Sequence, residues 1–132
     1  MPPIHVIALA TLRNARLLTV RKRGTRLFML PGGKPEVGET DVACLLREVK
    51  EELRCEVDPA SLQFLGAFTA PAANEVGRLV VARVYRGDLL GEPALATEIE
   101  EMMWVDPAQP HVALAPLLQV HVLPTLLEQC VE

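Results

Sequence analysis

Residues 33–55 read G-K-P-E-V-G-E-T-D-V-A-C-L-L-R-E-V-K-E-E-L-R-C, and this stretch joins a glycine turn to an amphipathic helix with a charged face. Upstream, the apolar run 27–30 predicts a strand that ends in the tight turn 31–34. Thr40 predicts the helix start, because its side-chain oxygen can accept hydrogen bonds from the first free backbone N–H groups. Asp41 suits the positive end of the helix dipole. We therefore expect strand, turn and helix in that order.

Two faces of this helix carry different chemistry. Apolar residues at three- and four-residue steps predict one buried stripe, made of Val42, Leu45, Leu46, Val49 and Leu53. Glu48, Glu51 and Glu52 stand at i, i+3 and i+4, so their carboxylates share a neighbouring face. Like charges this close are destabilising unless a cation neutralises them, and Mg²⁺ takes carboxylate oxygens while keeping positions for phosphate and water. The helix is therefore predicted to hold a divalent metal ion.

The same residues resemble the Nudix box, the signature of the Nudix hydrolases and their MutT-type members. The family pattern is G-x5-E-x7-R-E-U-x-E-E-x-G-U, where U is a bulky aliphatic residue. The positions that match in register are Gly33, Glu39, Arg47, Glu48, Val49, Glu51 and Glu52. The resemblance implies an α+β Nudix fold, with a mixed β-sheet sandwiched between the box helix and a C-terminal helix.

The chain departs from the pattern at Arg54, which replaces the second glycine, while Cys55 holds the last aliphatic position. A glycine there permits the left-handed turn that stops a helix, and a residue with a Cβ adopts that turn at a cost of roughly 1 kcal/mol. Either Arg54 accepts this strain or the helix runs slightly further. Because Arg54 lies beside Arg47 and Lys50 on the helical wheel, we expect an altered loop and intact metal binding.

The resemblance implies hydrolysis of a nucleoside diphosphate linked to another group, X, by attack of water on phosphorus in the presence of Mg²⁺ or Mn²⁺. It makes Glu48, Glu51 and Glu52 the metal ligands, and the carbonyl of Gly32 can add a further oxygen because glycine lets the backbone come close. The implied catalytic residues are Glu39, Arg47, Glu48 and Glu51. Among them Glu48 is preferred as the base for the attacking water, and Arg47 is expected to pair with a carboxylate and hold the loop against the helix.

Charged residues outside the helix are candidates for substrate contact. Lys34 follows the glycines, within reach of a phosphate, and Arg21, Lys22 and Arg23 end a strand ahead of the box. Glu98 and Glu101 precede a later strand, where many Nudix proteins carry a further acid that binds metal or acts as base. An ordinary solvated side chain is the alternative for every one of these residues, and the sequence leaves both open.

Two further features have weaker functional interpretations. Asn74 and Glu75 lie in a loop that could read a base or sugar edge. Trp104 could stack on a base, but an aromatic residue in an apolar strand is more often part of the core.

The remaining sequence predicts strands around the box helix. A hairpin is predicted over 4–12 and 16–23, further strands over 62–69, 79–85 and 102–105, and a short turn over 98–101. The stretch 114–131 has helical spacing in Leu117, Leu118, Val120, Leu123 and Leu127, and Pro124 should kink or divide that helix.

Length and composition limit the kinds of protein and partner that fit this chain. A chain of 132 residues, half of them hydrophobic and without an internal repeat, predicts one domain over residues 1–132. A net charge of −4 favours a small-molecule nucleotide as partner over a nucleic acid polymer. The three cysteines form no CxxC pair and predict free thiols in a reducing cytosol. We expect a cytoplasmic protein without a signal peptide or membrane span, and the apolar content is compatible with a homodimer.

Two other classes of function compete with the hydrolase. A Nudix domain that senses a nucleotide without cleaving it typically lacks one or more box glutamates, whereas this chain keeps Glu39, Glu48, Glu51 and Glu52. A purely structural domain leaves the carboxylate cluster unexplained. The group X stays open, with nucleoside triphosphates, oxidised nucleotides and ADP-ribose all compatible with the box, and the short chain favours a MutT-type triphosphate or another small diphosphate.

Overall fold

A computed structural model describes residues 2–129, in which four strands precede the box helix and five strands lie between it and the C-terminal helix. The strands are β1 (Ile4–Ala10), β2 (Leu12–Arg13), β3 (Arg16–Lys22), β4 (Gly32–Gly33), β5 (Glu56–Val57), β6 (Gln63–Pro71), β7 (Leu79–Arg86), β8 (Leu89–Leu90) and β9 (Ile99–Val105). The helices are α1 (Asp41–Leu53) and α2 (Leu123–Gln129), with a 3₁₀ turn over Pro59–Ser61 and a π-helical turn over Leu117–Val122.

The strands lie in three sheets. The largest has the order β4-β1-β7-β6 and is mixed, because β1 runs parallel to β7 and antiparallel to β4. The second has the order β2-β3-β9 and is antiparallel, and β5 pairs with β8 in the third. The predicted α+β class is confirmed, although the single expected sheet is divided.

Strand β1 separates two hydrophobic cores, because successive side chains of a strand point to opposite faces. Ile7 and Leu9 pack with the box helix, in a core that includes Leu18, Val20, Cys44, Leu45, Val49 and Leu53. Ala8 and Ala10 pack on the other side, in a core that includes Leu17, Ala82, Val84, Leu118, Val122 and Leu126. Full burial of one such leucine stabilises the fold by roughly 1.5–3 kcal/mol. The expected arrangement of strands between two helices is confirmed.

The helix boundaries follow local chemistry. The Oγ1 atom of Thr40 accepts a hydrogen bond from the N–H of Ala43 at 3.1 Å, as an N-cap does. Arg54 ends α1 in the left-handed conformation at φ 51° and ψ 39°, and its N–H donates to the carbonyl of Lys50 at 2.9 Å. Of the two alternatives for Arg54, the chain therefore takes the strained one.

Two apolar residues that the helical patterns predicted to be buried are exposed. Val42 is 38% exposed, because Asp41 rather than Val42 faces β7 in the first turn and binds Arg83 there. Val120 is 60% exposed in the π-helical turn, whose wider turn changes the face that each residue occupies. Pro124 follows directly after the change from π- to α-helix at Leu123, so the C-terminal helix is divided as expected. The end of this predicted segment, 130–131, lies outside the described residues.

Three strand predictions need correction. The hairpin is wrong, since β1 joins the mixed sheet and only the two residues of β2 turn back onto β3. Residues 27–30 make isolated bridges, Val20 with Met29 and Phe28 with Leu114, in place of a strand. The turn expected over 98–101 is largely strand, because Ile99–Glu101 extend β9 along β3. Non-local pairing overrides the local pattern in each case.

None of the helices within residues 2–129 has the length and apolarity needed to cross a bilayer.

Candidate functional site

The two glycines of β4 bring the backbone into contact with neighbouring groups on both sides. At Gly32, where φ is 150°, a Cβ would lie 2.1 Å from the carbonyl oxygen of Ile7 in the paired strand β1. At Gly33 a Cβ would lie 1.6 Å from Oε2 of Glu48. Glycine is therefore required at position 32, where the contact is with backbone, and at position 33 the absence of a side chain lets the Glu48 carboxylate pack directly against the strand.

Glu52 is the buried acid of the box helix, with 4% of its surface exposed. Its Oε1 accepts a hydrogen bond from the N–H of Gly32 at 3.1 Å, and Nζ of Lys22 lies 3.9 Å from its Oε2. Burial raises the pKa of Glu52 to about 7, although Lys22 and the Gly32 N–H act in the opposite direction. The negative charge of Glu48 raises this pKa further, so the two acids lie within electrostatic reach of each other.

We call Glu48 and Glu52 the carboxylate pair. Burial is also the main cause that raises the pKa of Glu48, Arg47 lowers it, and Glu51 raises it. Two neighbouring acids that are both difficult to ionise are suited to a divalent cation, which removes their repulsion and replaces lost hydration with carboxylate–metal contacts. Between residues 2 and 129 no group of three or more His, Cys, Asp or Glu side chains has the arrangement of a metal centre.

Glu51 has a different environment from the pair. Its side chain is 57% exposed, and Nη1 of Arg47 lies 3.4 Å from its Oε1. It is the member of the predicted metal set most open to solvent.

Arg47 joins the loop to the helix. Its Nε and Nη2 donate to the two carboxylate oxygens of Glu39 at 2.7 and 2.8 Å, and Nη2 also donates to the carbonyl of Lys34 at 3.2 Å. The hydrogen bond from Arg47, with a second from the N–H of Glu36, lowers the pKa of Glu39 to about 2. A planar guanidinium suits this bidentate arrangement, which a lysine could not reproduce. The loop after the glycines is consequently fastened to α1 by one side chain.

A cleft of about 410 Å³ opens beside the carboxylate pair. Its polar lining includes Lys22, Lys34, Glu48, Asn74 and Glu75. Most of the remaining wall is apolar and aliphatic, formed by Ile4, Val6, Ala8, Met29, Leu30, Pro71, Val80, Ala115 and Leu117. A largely apolar cavity with a few polar groups is the usual form of a small-molecule site, and its volume lies in the usual range for such sites.

Several predicted substrate contacts lie outside this cleft. The guanidinium of Arg21 pairs with Glu101 at 2.6 Å and with Glu100 at 3.2 Å, and Nε of Arg23 donates to the carbonyl of Thr97 at 3.1 Å. A substrate contact by Arg21 or Glu101 would first have to break their ion pair. Glu98 does not line the cleft, although its charge raises the pKa of Glu52 slightly.

Of the three basic residues predicted as substrate contacts at this strand end, Arg21, Lys22 and Arg23, only Lys22 is among the residues described as lining the cleft. Strand alternation was the available signal, because neighbouring residues of a strand point to opposite faces. A register shift between Arg21 and Lys22 also changes the direction of the strand end, which sequence does not reveal. Trp104 packs against the core of the box helix, with the Arg13 guanidinium 5.8 Å from its ring centre, as the core interpretation expected.

Comparison with known proteins identifies the family. Residues 1–126 match the family model described as NUDIX domain. The chain belongs to the Nudix family. A Mycobacterium tuberculosis protein provisionally named 8-oxo-dGTP diphosphatase 2 is 35% identical over 111 residues, which cover 80% of this chain and 75% of that protein. This Nudix chain is an enzyme, a pyrophosphohydrolase.

Solved structures show the same Nudix fold. A MutT NUDIX hydrolase from Burkholderia pseudomallei has a TM-score of 0.78 at 24% identity, over 98% of both chains. A bifunctional NMN adenylyltransferase/ADP ribose pyrophosphatase from Francisella tularensis, complexed with AMP and a manganese ion, has a TM-score of 0.70 at 19% identity. That likeness covers 98% of this chain and 42% of the Francisella chain. Nudix hydrolases generally use a divalent metal ion, and the carboxylate pair is chemically suited to one.

Proposed function

We propose that this Nudix enzyme hydrolyses a phosphoanhydride bond of a nucleoside triphosphate in the presence of Mg²⁺ or Mn²⁺, with 8-oxo-dGTP as the first substrate to test. One observation carries the proposal: the same cleft is lined by Lys22, Lys34 and Glu48 of the carboxylate pair and by an aliphatic wall with Asn74. A cleft with this lining suits a ligand that has an anionic part and a flat, weakly polar base.

The metal ligands in this proposal are Glu52, Glu51 and the carbonyl of Gly32. Glu48 adds a fourth ligand only in the alternative in which another group takes the proton of the attacking water. A bound divalent cation would neutralise phosphate oxygens and lower the pKa of water. The donor set contains only oxygen, which matches the preference of Mg²⁺ and Mn²⁺ over softer metals. The Gly32 N–H and Lys22 support the ionised form of Glu52, the form that a cation requires.

Glu48 is the proposed general base. Its burial raises its pKa, and a carboxylate with a raised pKa accepts a proton from water more readily than an ordinary one. The water oxygen forms a new bond to phosphorus as the bridging P–O bond breaks. A nucleoside triphosphate then yields a nucleoside monophosphate and pyrophosphate, and the proton of the water passes to the carboxylate. Lys22 and Lys34, which line the same cleft, are placed to contact the phosphate oxygens.

The aliphatic wall and Asn74 are proposed to hold the nucleoside. The aliphatic wall removes apolar surface of a base from water, and the Asn74 amide can both donate to and accept from a base edge. The relative named for 8-oxo-dGTP, at 35% identity, supports an oxidised purine as the first compound to examine.

A substrate panel tests the proposal. The purified protein is incubated with Mg²⁺ or Mn²⁺ and with nucleoside triphosphates, 8-oxo-dGTP, ADP-ribose, NADH, diadenosine polyphosphates or nucleotide sugars. Nucleotide products are separated by chromatography, and released phosphate and pyrophosphate are measured for the triphosphates. Glu52→Gln should abolish turnover, whereas Glu128→Gln makes the same chemical change at an exposed position of α2 and should preserve it. Metal-dependent release of pyrophosphate with this pattern supports the proposal. Folded protein that binds nucleotide without turnover would instead favour a nucleotide-sensing domain.

A further inference from the structure

The loop between β6 and β7, residues 72–78, brings Asn74 and Glu75 to the cleft. Arg78 joins this loop to the start of the chain. Its Nη1 donates to Oε2 of Glu75 at 2.9 Å, and its Nη2 donates to the carbonyl of Pro2 at 2.8 Å. The Arg78 side chain is only 21% exposed, so these contacts are partly shielded from solvent. One arginine therefore connects a cleft-lining residue to a segment that precedes β1.

The loop backbone closes on the same residue. The N–H of Ala72 donates to the carbonyl of Arg78 at 2.9 Å, and the N–H of Arg78 donates to the carbonyl of Glu75 at 3.3 Å. Gly77 supplies the left-handed conformation, at φ 82°, that returns the chain toward β7. Asn74 is one of the residues between Ala72 and Arg78, so its position depends on the contacts that close this loop.

The Nε atom of Arg78 is buried and has no hydrogen-bond partner among the groups that the structure describes. A buried N–H without an acceptor is destabilising, and native proteins rarely keep one. The two terminal nitrogens nevertheless hold the side chain in this position. The two terminal contacts therefore hold the guanidinium between the loop and the N-terminal segment.

We propose that Arg78 is a positioning residue that sets discrimination between nucleobases, because it holds Asn74 and Glu75 at the nucleoside part of the cleft. This inference rests on the proposed function, since it assigns a specificity role within the same cleft. Arg78 does not line the cleft, and the carboxylate pair makes no described hydrogen bond or ion pair with it. Its loss is therefore expected to change nucleotide binding and base preference and to leave the chemical step intact.

Steady-state kinetics with Mg²⁺ and several nucleoside triphosphates, 8-oxo-dGTP included, tests this role. Arg78→Ala should raise KM for the preferred nucleotide by about tenfold, keep kcat within about twofold, and reduce the preference among bases. Arg78→Lys should give an intermediate effect, because one ammonium cannot reproduce both terminal contacts of the guanidinium. Arg16→Ala, at an exposed position of β3, serves as the matched control and should leave all three quantities unchanged.

Equilibrium binding of the same nucleotides with Ca²⁺ in place of Mg²⁺ separates this inference from the proposed function. If the wild type binds nucleotide without turnover, the proposed function fails, and weaker, less selective binding by Arg78→Ala still supports the positioning role. Unchanged KM, affinity and base preference in Arg78→Ala would overturn it. An equal loss of kcat for every base, together with a lower Tm, would also overturn the positioning role and indicate that Arg78 is purely structural. The positioning role would likewise be overturned if the wild type bound no nucleotide.

Discussion

The backbone N–H of Gly32 donates a 3.1 Å hydrogen bond to the buried carboxylate of Glu52, which lies 20 positions further along the chain. Next to it, the Glu48 carboxylate packs against the backbone of Gly33. The two acids of the helix are therefore positioned by two consecutive residues of the preceding strand. The positions of these two acids depend on Gly32 and Gly33 as much as on the helix, and these glycines form β4 where the sequence predicted a turn.

Gly33→Ala should inactivate the enzyme without unfolding it. The new Cβ would fall 1.6 Å from Oε2 of Glu48, so the carboxylate must move. Displacement of a proposed base by an ångström or more should lower kcat by roughly 100-fold. The expected result is measured as kcat at saturating Mg²⁺, with circular dichroism and Tm to follow folding. Activity close to the wild type would show that the Glu48 position is not important for turnover.

Glu52 should make stability depend on pH. Burial raises its pKa to about 7 from an ordinary value of 4.5, so the folded state binds this proton more tightly than the unfolded state does. The resulting stabilisation is complete below pH 4.5 and is lost as the pH rises through about 7, by up to about 3 kcal/mol. Without metal, the free energy of unfolding of the wild type should therefore fall across this range relative to Glu52→Gln.

Addition of Mg²⁺ should oppose this loss, because the cation binds the ionised carboxylate and stabilises the folded state more strongly as pH rises. Urea titrations of both proteins at several pH values, with and without Mg²⁺, provide the measurement. A difference between the two proteins that stays constant with pH would contradict the assignment of the raised pKa to Glu52.

Arg47→Lys should impair catalysis more than stability. The lysine keeps the charge but loses the bidentate pair with Glu39, at 2.7 and 2.8 Å, and the contact with the carbonyl of Lys34. We expect kcat/KM to fall by about 10- to 100-fold as the loop loosens, with a decrease in Tm of only a few degrees. Arg16→Lys, on an exposed part of β3, is the control. A parallel collapse of Tm and activity would indicate a general structural role.

Arg54→Gly should stabilise the protein. Arg54 ends α1 in the left-handed region at φ 51°, which glycine adopts without a Cβ penalty. Relief of roughly 1–2 kcal/mol of strain is partly offset by the greater freedom of glycine in the unfolded chain, so a gain of about 0.5–1 kcal/mol is expected. Urea unfolding measures it, with Arg54→Ala as a control that keeps the Cβ and should show no gain. A less stable Arg54→Gly variant would mean that other contacts of Arg54 outweigh the strain.

The box helix was accessible to sequence analysis because its signals are local. Thr40 caps it, the apolar stripe from Leu45 to Leu53 is buried, and Arg54 ends it, all within one short segment. The strands were less accessible. Residues 4–10 look like half of a hairpin, yet β1 finds its parallel partner in β7, more than 70 positions away. Pairing of this kind depends on packing between distant segments, which a local pattern does not encode.

The sequence by itself determined the family resemblance, the box helix with its glutamates and the chemistry of those side chains, because spacing along one helix places residues on a face directly. The tertiary structure alone decided which charges meet: Glu52 is buried and Glu51 exposed, Lys22 reaches the cleft, and Arg21 is paired with Glu101. It also brought residues 72–75 to the cleft. These outcomes depend on strand direction, register shifts and solvent exclusion, and such properties arise only when segments far apart in sequence pack together.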